Sequence, residues 1–125
     1  MIVKFLKLED LSAYRKSRDL ANCIWKIVSE WDYFNKDAFG KQFVRATDSI
    51  SANIAEGFGR HFKKEKIHFY HYARGSTLET LDWFNKAKVR NLLVEQQIQY
   101  IENVLSEMPK EINNLINYTI DKLGK

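Results

Sequence analysis

One proline and five glycines in 125 residues leave too few chain reversals for an all-β fold. A single cysteine, Cys23, excludes an internal disulfide and a cysteine-built zinc cluster, and suits a reducing compartment. No apolar run is long enough to cross a bilayer. The start, Met1-Ile2-Val3-Lys4-Phe5-Leu6-Lys7, is too short and too charged for a signal peptide, so a cytoplasmic protein with no membrane partner is expected. Phosphate-loop chemistry is missing as well, because the glycines of Gly57-Phe58-Gly59 follow a helical pattern where a nucleotide loop needs a strand.

What is present is apolar surface. Hydrophobic residues are 45% of the chain, enough for a single core, so residues 1–125 read as one domain. The net charge of +4 is concentrated: Lys36 to Arg74 holds eight Lys/Arg against four acids. A local excess of this kind either serves a polyanion or forms a solvated helix face.

The apolar residues recur at three- and four-residue steps, the period of amphipathic helices. In residues 8–31 the stripe is Leu20, Ala21, Ile24, Ile27, Val28 and Trp31. In 41–56 it is Phe43, Thr47, Ile50 and Ile54, flanked by the small or polar line Ala46, Ser49, Asn53 and Glu56. Gly57 then reads as a left-handed helix stop. In 63–90 one face carries Ile67, Tyr70, Leu78, Leu81 and Phe84. The other carries Phe69, Tyr72 and Trp83, a second aromatic face predicted to be an oligomer interface, the alternative being cover by the first helix or the N-terminal tail. In 94–123 the stripe is Val94, Ile98, Ile101, Leu105, Ile112, Ile116, Thr119 and Leu123, with Pro109 placed to kink or interrupt it. Asp32–Gly40 reads as a connection. Short joins between long helices predict an all-α, antiparallel up-and-down four-helix bundle.

Chemistry is thinly marked. Glu65-x-x-His68 is half of a di-iron motif whose second copy is missing, so neither a metal nor another cofactor is expected. Ser49, Ser51 and Ser76 lie inside helical patterns with no histidine and carboxylate beside them, and no catalytic residue is assigned. Arg74 falls within an apolar stripe, which predicts an internal polar network with Asn53 and Glu56. Arg60-His61-Phe62-Lys63-Lys64-Glu65-Lys66 interleaves bases and aromatics as nucleic-acid contacts do. Together with Arg45, the residues Arg60, Lys63, Lys64 and Lys66 form the candidate phosphate-binding set.

The run Ser49-Ile50-Ser51-Ala52-Asn53-Ile54-Ala55-Glu56-Gly57, with Gln42, Arg45-Ala46, Gly59-Arg60, Lys63-Lys64-Glu65, Phe69, Ala73-Arg74-Gly75-Ser76 and Glu79, resembles a bacterial family. This is the four-helix-bundle protein family encoded in 23S rRNA intervening sequences, similar in fold to the accessory proteins of diversity-generating retroelements. Leu8-Glu9-Asp10-Leu11, Tyr14 and Leu20 resemble its N-terminal motif. Ser51 (for proline), Phe62 (for a capping serine), Asp48 (for an apolar residue) and Pro109 depart from the family pattern. The resemblance implies a homopentamer with a basic surface, RNA or other nucleic acid as partner, and no enzymatic activity. The alternative is a protein–protein scaffold or adaptor with no nucleic-acid binding.

Overall fold

In the computed structural model, which describes residues 6–122, the four amphipathic segments form helices α1 (Ser12–Ser29), α2 (Lys41–Gly59), α3 (Lys63–Val89) and α4 (Glu95–Lys122). Each packs on its neighbour in the chain, and α4 closes the ring against α1. The result is an antiparallel up-and-down four-helix bundle. Leu123 of the expected α4 stripe lies outside the described residues.

The segment read as a connection is itself mostly helical. Asp32 caps a turn over Tyr33–Asn35 by accepting the Asn35 N–H at 2.9 Å. A π-type turn, Lys36–Gly40, then runs directly into α2. Its effect is to deliver Phe39 into the core, where the ring meets Trp31, Phe43 and Trp83 at centroid distances of 5.8, 6.1 and 5.2 Å.

On α3 the buried stripe is Tyr70, Ala73, Thr77, Thr80, Phe84 and Ala87, a strict alternation of three- and four-residue steps. Leu78 and Leu81, expected in the core, sit one position off that stripe and are 64% and 38% exposed. Thr77 and Thr80 take the inward positions because they fall on the spacing set by Tyr70, Ala73 and Phe84, and the leucines do not. Buried hydroxyls cost little here. Ser17, Thr47, Thr77, Thr80 and Thr119, the buried polar residues, each donate to the carbonyl four residues back, at 2.7 to 2.9 Å, so none is left unpaired.

α2 and α3 meet closely at Gly57. Its φ is not positive, and α2 continues through it to Gly59, so it is not the left-handed stop that its position suggested. A Cβ there would stand 2.6 Å from Cε1 of Tyr70 and 3.0 Å from the Lys66 carbonyl. Glycine is required by the neighbouring helix, not by its own backbone. Tyr70 is 1% exposed, and burial pushes its phenol up to about 12 despite a hydrogen bond with Thr119. One side chain thus ties α2, α3 and α4 together.

The true left-handed stop is Asn91, with φ 59°. Leu92 N–H bonds the Ala87 carbonyl and Asn91 N–H the Lys88 carbonyl, at 3.0 and 3.1 Å, the Schellman arrangement that ends α3. Gln97 then accepts the Val94 N–H at 2.9 Å to start α4. α4 runs through Pro109 without the expected interruption; the proline is exposed and forgoes one bond to the Leu105 carbonyl. Between α4 and α1, Glu111 accepts from Lys16 at 2.7 Å and from Ser12. Burial alone would raise its carboxyl, but these two donors hold it below the ordinary value.

Substituting Gly57→Ala is expected to destabilise the fold by about 1–3 kcal/mol through overpacking against Tyr70. Gly75→Ala, whose Cβ meets nothing within 4 Å on the exposed side of α3, is expected to gain about 0.5–1 kcal/mol of helix stability. Urea denaturation of the two variants checks the opposite signs.

Candidate nucleic-acid interface

The basic run after α2 is largely engaged in holding the α2–α3 corner. α3 begins without a side-chain cap at Phe62, and the cations nearby turn back toward α2. Lys66 Nζ donates to the Phe58 carbonyl at 2.7 Å and lies 5.5 Å from the Phe58 ring. A lysine on the first turn of α3 therefore satisfies a carbonyl at the end of α2. Partial burial lowers its pKa. Arg60 pairs with Glu56 at 2.9 Å and covers the Phe69 ring at 4.6 Å. Its Nε is buried with no hydrogen-bond partner.

Of the five predicted phosphate contacts, Arg60 and Lys66 are thus engaged within the protomer. Lys63 is half-buried and makes an interaction of its own. Lys64 points to solvent on α3. Arg45 is exposed on α2, on the other side of that helix from the α3 contact, and lines a groove between α1 and α2.

The predicted internal polar network of Asn53, Glu56 and Arg74 does not form. Glu56 is exposed and taken by Arg60 one helical turn on. Asn53 Nδ2 donates to the carbonyl of Ser49 at 2.8 Å. Arg74 is half-buried and reaches across to Asn113 of α4. Arg74 lies on the α4 side of α3, and Glu56 lies in the last turn of α2 beside Arg60, so each finds a nearer partner.

The aromatic face of α3 divides likewise. Trp83 lies against the Phe39 ring and carries Lys86 at 4.7 Å, and its indole N–H donates to Glu79 at 3.4 Å. It is half-buried within the protomer because the helical connection supplies Phe39. Phe69 is half-buried beneath Arg60. Tyr72 stays 50% exposed, its hydroxyl 2.7 Å from His68 Nε2. That contact, and the edge-on stacking of His61 with Phe62, turn His68 and His61 toward aromatic neighbours; among the described residues no three His, Cys, Asp or Glu side chains are placed to hold a metal.

Nucleophiles are similarly engaged. Ser49 Oγ donates to the Arg45 carbonyl at 2.8 Å. Burial raises the Cys23 thiol, more than Lys26 lowers it, the opposite of an activated cysteine.

The α1–α2 groove holds residues that sequence reasoning passed over. Trp25 is 62% exposed on its edge, and Lys36, Lys41 and Asp48 line it beside Arg45. The available signal was negative: Trp25 falls outside the apolar stripe of α1, and a large aromatic off the stripe has to face solvent or a partner.

The family model for the 23S rRNA-intervening sequence protein matches residues 9–114. No curated protein matches the chain. No helix among the described residues is long and apolar enough to cross a membrane.

If Arg60 serves the α2–α3 corner, Arg60→Ala should lower stability by about 1 kcal/mol from the lost cation–π contact and exposed ion pair. Lys64→Ala should leave it within about 0.5 kcal/mol. Thermal or urea unfolding of both distinguishes a structural cation from a solvated one.

Proposed function

Because the chain belongs to the 23S rRNA-intervening sequence protein family, we propose that it is a non-enzymatic, oligomeric helical bundle that binds RNA through a basic surface in the cytoplasm. The observation that carries this reading is the charge excess of the segment from Lys36 to Arg74, part of which stays solvent-facing in the folded chain. Lys36, Arg45 and Lys64 are exposed, and each offers a phosphate a cation that packing has not consumed. Arg60 and Lys66 contribute by fixing the corner from which Lys64 projects. A homopentamer, as the family resemblance implies, would repeat this surface and multiply a weak contact into a strong one.

A scaffold for another protein is the second reading. The exposed apolar residues of α3 favour it, with Tyr72, Leu78 and Val89 at 50%, 64% and 82% exposure. The two readings separate by salt dependence, since counterion release is specific to the polyanion.

Filter binding of the protein to single-stranded RNA across a salt series should give a log–log slope that shrinks by about 0.7 for each phosphate contact removed. Arg45→Ala and Lys64→Ala should each shrink it, and Lys66→Ala should not. RNA affinity that is absent even at low salt would eliminate the reading and leave the scaffold.

A further inference from the structure

Three kinds of chemistry meet in the α1–α2 groove. Its volume is about 630 Å³, within the range of small-ligand clefts. Val28, Gly40 and Val44 contribute apolar lining, and Gly40 lets the two helices close on each other: a Cβ there would stand 2.5 Å from Val28 Cγ1. Trp25 stands exposed at the edge with its ring free for stacking. Lys41, Arg45, Asp48 and Ala52 follow one another along α2 at three- and four-residue steps, so they line one side of the groove. Lys36 adds a cation from the connection. Lys41 is paired with Asp37 at 2.6 Å; Lys36 and Arg45 have no such pair among the described residues.

Asp48 is the unexpected member. It is a carboxylate in a cationic groove, on an exposed residue, and partial burial of its side chain raises its pKa. No arginine or lysine offsets the burial among the described residues. A carboxylate placed so is available to accept hydrogen bonds from a ligand's amino group.

We propose that this groove binds one unstacked nucleotide whose base carries an exocyclic amine, that is adenine, cytosine or guanine but not uracil, with the base stacked on Trp25, its amine donating to Asp48 and its phosphates on Lys36 and Arg45. The proposal rests on the RNA-binding reading above and deepens it. Each part of the ligand answers one feature of the groove. A flat π-face matches the exposed indole. An amine donor matches the carboxylate, as acidic side chains recognise the amino edge of cytosine. The anion matches the unpaired cations. Uracil fails on the second count, because it has a carbonyl where cytosine has the amine. A second copy of the chain is the poorer occupant, since a hydrophobic knob would leave Lys36, Arg45 and Asp48 buried without partners. The base must be out of any helix to enter, so the strand is single.

Fluorescence titration and filter binding with r(A)8, r(C)8 and r(U)8, with AMP as a separate arm, test the assignment. Wild type should prefer r(A)8 and r(C)8 over r(U)8, and r(A)8 should quench tryptophan emission. Trp25→Ala should weaken r(A)8 on the order of tenfold and abolish the quenching, with far-UV circular dichroism unchanged. Asp48→Ala should tighten r(U)8 by removing a negative charge near phosphate while erasing the preference for amine-bearing bases. AMP quenching Trp25 as strongly as the oligomer at equal nucleotide concentration would assign the groove to a free nucleotide and overturn the strand. Equal binding of all three RNAs, unaffected by Trp25→Ala but weakened by Lys64→Ala, would overturn the groove and leave the RNA-binding reading standing. Binding to none of them would overturn both. A smaller assembly for Trp25→Ala in light scattering would make the groove a contact between copies and likewise overturn the assignment.

Discussion

The structure depends on how closely α2 and α3 approach at Gly57. With no side chain at that position, the Tyr70 ring lies directly on the α2 backbone, and its hydroxyl continues to Thr119 on α4. Closeness there selects the residues elsewhere along the seam. Ala46, Ala73, Thr77 and Thr80 fill the interior where larger side chains would hold the helices apart. The threonines are tolerated because each hydroxyl returns its hydrogen bond to its own helix.

The same constraint decides which cations are available. The tight corner after Gly59 brings Lys66 onto the Phe58 carbonyl and Arg60 onto Glu56 and Phe69. Charge that looks in the sequence like one continuous basic patch is therefore split. One part closes the end of the bundle. The rest stays available: Lys64 faces solvent from α3, and Lys36 and Arg45 lie along the groove shared with α1. A count of lysines and arginines cannot separate these populations, because pairing depends on the turn geometry between two helices.

The bundle itself was legible. The stripes of α1, α2 and α4 follow the helical period plainly, and Leu20, Ile24, Phe43, Ile50, Ile54, Ile101 and Ile112 are fully buried as that period requires. The long Ser49–Gly57 run pointed to the family to which the chain belongs. α3 misled, because hydrophobicity ranks leucine above threonine, whereas the register that buries Tyr70, Ala73 and Phe84 turns the threonines inward. Leu78 and Leu81 therefore looked internal and Thr77 and Thr80 did not. Trp83 seemed spare only because Phe39 was assigned to an irregular connection; the turn over Lys36–Gly40 brings it in. The pairing of Arg74 with Glu56 failed for a related reason. A glutamate with an arginine four residues on finds it first, and Arg74 turns to Asn113 on α4 instead.

Division of the basic segment into structural and available cations is the central claim, and it is tested most directly by where RNA touches the protein. Ultraviolet cross-linking of the protein to single-stranded RNA, followed by peptide mass spectrometry, reads those positions without substitutions. Cross-links are expected on α1 at Trp25, on the α2 peptide that carries Arg45, and at Lys64. Cross-links confined to Arg60 and Lys66, with none at Lys64 or in the groove, would contradict the claim.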